Sequence, residues 1–215
     1  MIKLGLFGGT FNPIHIGHVA LAQNVQRAFD LDKLLLIPSR IPPHKKTCDI
    51  APETRMEMVQ LVADKLGEEF GVSDYEVNSE EVSYSYKTVS KYRDEYPDAQ
   101  IFFIAGTDIF ASISTWQSYM ELFELANFIV VNRSFMPFEK MLESIPAELM
   151  DRVVKADSYQ GEKSGKVILY TMPEVDVSST EIRTLLDEKY RKANLPEGVY
   201  EYISSNNLYG SGNDC

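Results

Sequence analysis

The chain contains three histidines, His15, His18 and His44, and all three fall in stretches suited to holding an anion. Two of them close the run Gly8-Gly9-Thr10-Phe11-Asn12-Pro13-Ile14-His15-Ile16-Gly17-His18. A turn of this kind between a strand and a helix can cradle a phosphate. Glycines let the backbone approach closely, and a helix N-terminus offers unpaired N–H groups and positive dipole. Histidines three apart at the start of a helix share one face and can reach one anion. A Gly-Gly-Thr alone more often just joins a strand to a helix. His-x-Gly-His directly behind it is far more specific.

Three further stretches could contribute to the same chemistry. Pro38-Ser39-Arg40-Ile41-Pro42-Pro43-His44-Lys45-Lys46 is stiffened by its prolines and groups three cationic side chains. It reads equally as a solvated basic loop or as a lid that brings positive charge over a phosphate. Gly106-Thr107-Asp108 follows an apolar run, and Asp108 could accept from ribose hydroxyls or orient a metal; Thr107 and Asp108 are also ordinary helix-capping types. Trp116, the only tryptophan, is a core residue or a platform for a flat ring. In Val177-Ser178-Ser179-Thr180-Glu181-Ile182-Arg183 the Ser-x-x-Glu spacing predicts a capped helix start. The hydroxyls of Ser179 and Thr180 and the guanidinium of Arg183 could there converge on a second phosphate.

The elements that must position these residues alternate between apolar runs and amphipathic segments. That alternation predicts an α/β fold, a Rossmann-like doubly wound parallel sheet with a C-terminal helical extension. Strands are expected at 2–7, 33–37, 75–78, 101–105, 128–131 and 167–170. Helices are expected from 19, with a stripe of Met56, Val59, Ala63 and Leu66, then over 88–96, 178–186 and 198–203. Residues 1–205 form one domain in this reading. Residues 134–165, broken by Pro137, Pro146, Gly161 and Gly165, read as a helical insertion, and 206–215 as a flexible tail. In such sheets ligands sit beyond the carboxyl ends of the strands, where strand order reverses.

Composition narrows the function. The 215 residues suffice for one sizeable domain. No apolar run approaches the roughly 20 residues of a membrane span, and residues 1–7 lack the apolar core and cleavage site of a signal peptide, so a cytoplasmic protein is expected. Cys48 and Cys215 have no metal-ligand spacing. The net charge of −11 argues against nucleic-acid partners. Yet residues 1–46 hold six Lys and Arg against Asp30 and Asp32. A basic patch on an acidic chain suits a small anionic ligand.

Taken together the motifs resemble the nucleotidyltransferase superfamily marked by His-x-Gly-His and Ile-Ser-Ser-Thr-x-x-Arg, here with Val177 for Ile. Within it the chain is similar to the bacterial nicotinate-nucleotide adenylyltransferases. The Gly8–His18 run, Pro42-Pro43-His44-Lys45, the block from Phe103 through Asp108 to Trp116, Glu121 and Leu122, and the C-terminal Leu195-Pro196, Tyr202-Ile203 and Asn207-Leu208-Tyr209 all carry the likeness. The chain departs from the pattern at Ser83-Tyr84-Ser85, where Ser-Tyr-Thr is common, at Ser134 after Arg133, where Pro-Gly is common, and in the longer segment 134–165.

The resemblance implies transfer of AMP from ATP, with Mg²⁺ carried on the nucleotide, to nicotinate mononucleotide. His18 and His15 would be catalytic. ATP would meet Gly8, Gly9, Thr10, Phe11, His15, His18, Gly106, Asp108, Ser179, Thr180 and Arg183. The acceptor would meet Asn12, His44, Lys45, Ser85, Trp116 and Arg133. No dedicated protein metal site, nucleic acid or membrane is implied, and a homo-oligomer is left open. Nicotinamide mononucleotide and phosphopantetheine are rival acceptors, and the Pro-Pro-His-Lys loop and Trp116 argue against the latter. His15-Ile16-Gly17-His18 also marks class I aminoacyl-tRNA synthetases, but this chain is short, acidic and without Lys-Met-Ser-Lys-Ser. A nucleotide-binding sensor without turnover is a rival of another class, opposed by the intact His15, His18, Thr180 and Arg183.

Overall fold

The structure is a computed structural model that describes residues 1–41, 50–132, 137–143, 145–173, 175–185 and 187–210. His44, Lys45 and Arg133 lie outside the described residues. In chain order the elements are β1 (Lys3–Gly9), α1 (Ile16–Phe29), β2 (Lys33–Pro38), α2 (Pro52–Leu66), β3 (Phe70–Val72), α3 (Ser85–Glu95), β4 (Gln100–Gly106), α4 (Thr107–Phe110), α5 (Tyr119–Leu125) and β5 (Asn127–Asn132). They continue with α6 (Phe138–Glu143), β6 (Val153–Lys155), β7 (Val167–Thr171), α7 (Ser179–Thr184), α8 (Glu188–Asn194) and α9 (Val199–Ser205), with 3₁₀ turns at Ile113–Thr115, Ala147–Arg152 and Ala156–Ser158.

The strands form one seven-stranded sheet in the order β3-β2-β1-β4-β5-β7-β6. Every paired neighbour runs parallel. Strand order reverses between β1 and β4, whose register aligns Leu6 with Phe103. The period of two sorts the side chains onto two faces. Phe7, Leu34, Leu36, Phe102, Ile104 and Ile129 pack on α1, α2, α7 and α9. Leu4, Leu6, Ile37, Ile101, Phe103 and Phe128 pack on α3, α5 and the α4 turn. Strands β4 and β5 are buried along their whole length, which explains their uninterrupted apolar runs.

Several expectations need correction. Residues 75–78 form a turn, and the third strand is the three-residue β3 before it. The turn supplies Glu76, which needs polar partners that a core strand would not offer. The buried stripe of α2 is Arg55, Met58, Val59, Val62 and Ala63, shifted round from the expected one. The segment 134–165 is not wholly helical, since Val153–Lys155 pairs with β7 at the sheet edge. Its later part is tied to the amino ends of β4 and β5, remote from the site. Gln100 donates to the Gly161 carbonyl, and Asn127 Nδ2 donates to the Glu162 carbonyl at 2.8 Å. The helix α8 was not expected. The tail expectation fails at Tyr209, which is 1% exposed.

Candidate active site

The carboxyl ends of β1, β2 and β4 open into a cavity of about 540 Å³ at the reversal of strand order. Its wall brings together Gly8, Gly9, Thr10, Phe11, Asn12, His18, Ser85, Gly106, Asp108, Trp116, Ser179, Thr180 and Arg183. These come from stretches as far apart as residues 8 and 183. Parallel strands deliver them, because each strand's carboxyl end emerges on the same edge of the sheet.

The two histidines take different places. His15 is the N-cap of α1, only 3% exposed, and its Nδ1 accepts from the Gly17 N–H at 3.2 Å. It is not among the residues lining the cavity. His18 does line it, and its Nδ1 accepts from the His15 N–H at 3.3 Å. An Nδ1 that accepts leaves the proton of the neutral ring on Nε2. The rings lie 3.8 Å apart, and the Phe11 ring stands edge-on to His18 at 5.1 Å. Glycine at position 17 keeps the space beside the rings clear. A Cβ there would sit 2.9 Å from Val177 Cγ1 and 3.1 Å from the His15 ring. The motif therefore locks two rings and the approach to α7 into one block.

The helix α7 begins as the Ser-x-x-Glu spacing predicts. Ser178 Oγ accepts from the Glu181 N–H at 3.2 Å and donates to the Glu181 carboxylate at 3.0 Å. Arg183 donates to the Asn12 carbonyl at 2.7 Å and to Thr180 Oγ1 at 3.3 Å, and Ser179 Oγ donates to the Pro13 carbonyl at 3.1 Å. Arg191 in turn donates to the carbonyls of Ile182 at 2.9 Å and Tyr209 at 3.0 Å. The Tyr209 hydroxyl, buried, donates to Asn12 Oδ1 at 2.6 Å. The carboxyl-terminal helices thus grip the turn after β1.

Arg55 grips the same turn from α2. It is 2% exposed and donates to the Thr10 carbonyl at 2.5 Å and the Ser39 carbonyl at 2.7 Å. Burial pulls its guanidinium down from its ordinary value, opposed by Tyr209 and Glu53. It remains a cation, since arginine does not lose its proton in proteins.

The start of α3 adds Ser83, Tyr84, Ser85 and Tyr86 to the cavity wall. Ser83 Oγ accepts from the N–H groups of Arg40 at 3.0 Å and Ile41 at 3.3 Å. Glu76, 8% exposed and on the cavity wall, accepts from Thr88 Oγ1 at 2.6 Å. Burial raises the Glu76 carboxyl above its ordinary range, and hydrogen bonds from Thr88 and Ser83 oppose the rise. Trp116 stands edge-on to Phe103, 5.8 Å between centroids, and donates from Nε1 to Ser112 Oγ at 3.4 Å. Asp108 is exposed in the first turn of α4, whose N-cap is Gly106 rather than an acidic or hydroxyl side chain.

Residues 6–185 match the model of the cytidylyltransferase-like family. The chain belongs to that family. Among its relatives, a protein of Shewanella woodyi named "Probable nicotinate-nucleotide adenylyltransferase" is 36% identical over 97% of this chain and 99% of its own length. One of the same name from Carboxydothermus hydrogenoformans is 34% identical over 96% and 98%. The fold is shared with the structure of "Plasmodium falciparum nicotinic acid mononucleotide adenylyltransferase complexed with NaAD", at 19% identity, 98% of each chain and a TM-score of 0.76.

For this cytidylyltransferase-like chain, motif reading misses five residues of the site: Ser39, Arg55, Glu76, Ser83 and Tyr209. Arg55 left a signal, a charge standing on an apolar helical stripe with Met58, Val59 and Val62. Ser39, Ser83 and Tyr209 fell within stretches already singled out, but their individual roles, like that of Glu76, are set by their surroundings across the fold.

Proposed function

We propose that the cavity transfers the adenylyl group of ATP to nicotinate mononucleotide, forming nicotinate adenine dinucleotide and pyrophosphate. The observation that carries this reading is one cavity whose wall joins the imidazole of His18 and the Thr180–Arg183 pair to the hydroxyl of Ser85 and the indole of Trp116. A phosphate oxygen of the acceptor attacks the α-phosphorus in line, and the bond to the β-phosphate breaks as pyrophosphate leaves. Such transfer depends on positioning and charge stabilisation rather than a covalent nucleophile.

His18 donates from Nε2 to oxygen on the α-phosphate as charge develops there. His15, behind it, holds the His18 ring in its tautomer rather than meeting ATP. Gly8, Gly9, Thr10 and Phe11 present backbone to the nucleotide, with Gly106 and Asp108 at the adenosine side. Ser179, Thr180 and Arg183 hold the β- and γ-phosphates. Asn12, Ser85 and Trp116 receive the acceptor, with the nicotinate ring on the indole; the family resemblance adds His44, Lys45 and Arg133 as acceptor-binding residues. Mg²⁺ arrives as part of the ATP substrate. A reaction between phosphorylated metabolites and ATP suits the cytoplasm.

The test is pyrophosphate release with Mg-ATP and nicotinate mononucleotide, nicotinamide mononucleotide or phosphopantetheine as acceptor. A dominant kcat/KM for the acid is expected. Release with none of them, despite ATP binding, would sink the reading in favour of a sensor. His18→Ala should lower kcat by roughly 10²- to 10³-fold, the loss that follows removal of one charge-stabilising donor. A near-normal kcat would remove His18 from that role.

A further inference from the structure

Ser39 holds a buried hydroxyl that none of the described residues engages. It follows β2, is 8% exposed and lines the cavity. Its Oγ has no hydrogen-bond partner among the described residues. The backbone around it is fully engaged, since its N–H donates to the Gly9 carbonyl at 2.9 Å and its carbonyl accepts from Arg55 at 2.7 Å. Arg55 reaches Thr10 with its other nitrogen, so Ser39 is clamped beside the Gly9-Thr10 turn. The next residue, Arg40, is held by Ser83 at the start of α3. A buried polar group left unpaired costs stability, and such groups are rare in folded proteins unless a ligand satisfies them.

We infer that Ser39 is a binding residue for the mononucleotide acceptor, its Oγ–H donating to an oxygen of the acceptor phosphate. The inference rests on the adenylyl-transfer reading above. Position decides the phosphate. Ser39 is tied on one side to the turn over which the two phosphates meet and on the other to Ser83, next to the acceptor-side Ser85. A neutral hydroxyl can approach an anionic oxygen there and adds no charge when the site is empty.

The experiment compares wild type with Ser39→Ala in three readings. Loss of one hydrogen bond to a charged group should lower kcat/KM for nicotinate mononucleotide by roughly 10- to 100-fold, while KM for ATP stays within about twofold. The melting temperature without ligand should hold or rise, because a partnerless hydroxyl is removed, whereas the rise on adding nicotinate mononucleotide should shrink. Inhibition by nicotinate riboside, which lacks the phosphate, should be unchanged. An unchanged acceptor kcat/KM overturns the inference. So does an equal loss for ATP, a matching loss of riboside inhibition, or a clearly lower melting temperature of the ligand-free variant, which would show the hydroxyl to be structural. If wild type itself releases no pyrophosphate with nicotinate mononucleotide, the functional reading has failed, and that is distinguishable because it appears before any variant is made.

Discussion

Replacing Tyr209 by Phe removes one oxygen from a position only six residues from the end of the chain. The ring stays buried, and the 2.6 Å hydrogen bond to Asn12 Oδ1 is lost. A buried acceptor deprived of its donor costs about 1–3 kcal/mol. At this chain length each kcal/mol moves the melting temperature by about 2–4 °C, so a central loss of about 2 kcal/mol predicts a drop of about 4–8 °C. The effect should reach the site, because Asn12 also offers its carbonyl to Arg183 at 2.7 Å. KM for ATP, through Arg183, and KM for the acceptor, through Asn12, should therefore both rise. A chain ending at Asn206 loses the aromatic ring as well, at about 3–5 kcal/mol for a large buried side chain. Thermal melts and steady-state kinetics on wild type, Tyr209→Phe and the shortened chain check the ordering. A Tyr209→Phe protein within about 1 °C of wild type and with normal KM for ATP would refute the clamp.

Two other outcomes follow from the same geometry. Gly17→Ala gains up to about 1 kcal/mol of helix propensity but pays about 1–3 kcal/mol of overpacking against Val177 and the His15 ring. A small change in melting temperature with a kcat at least about tenfold lower is expected from the misplaced His18 ring, and an unchanged kcat at saturating substrates would contradict it. Glu76→Gln tests the buried carboxyl, whose pKa is raised mainly by burial. A carboxyl raised in the folded state binds its proton more tightly there than in the unfolded chain. Its stabilisation is complete below the ordinary glutamate range and is lost as pH rises through the raised value. The stability of Glu76→Gln relative to wild type should therefore improve from pH 4 towards pH 8 in denaturant titrations (about the range that carboxyls and their shifted forms span). A difference independent of pH would show that Glu76 is not raised.

The site was legible where its chemistry is local. His15-x-Gly-His18 and Ser178-x-x-Glu181 each close their own hydrogen bonds within three residues, so their spacing carries their geometry. The strands β4 and β5 were legible because burial on both faces leaves an unbroken apolar run. The short β3 and the turn at 75–78 were not. Three residues carry too little pattern, and the β-favouring Tyr75 and Val77 were outweighed by the pull of Glu76 towards Thr88.

By itself, then, the sequence determined the parallel α/β architecture, the Gly-rich turn, and half of the residues that line one cavity. The architecture and the turn follow from periodicity and short-range spacing, which are properties of a few consecutive residues, whereas the roles of residues such as Asn12 and Ser85 were implied by the family resemblance. Only the tertiary structure decided that His18 lines the cavity while His15 caps α1 behind it, that Arg55 and Tyr209 grip the turn, and that the Ser39 hydroxyl is unpaired among the described residues. The grips of Arg55 and Tyr209 depend on partners 45 and 197 residues away, and the Ser39 hydroxyl on the lack of one among the described residues. Side-chain type alone carries no record of such distances, because the packed sheet and helices create them.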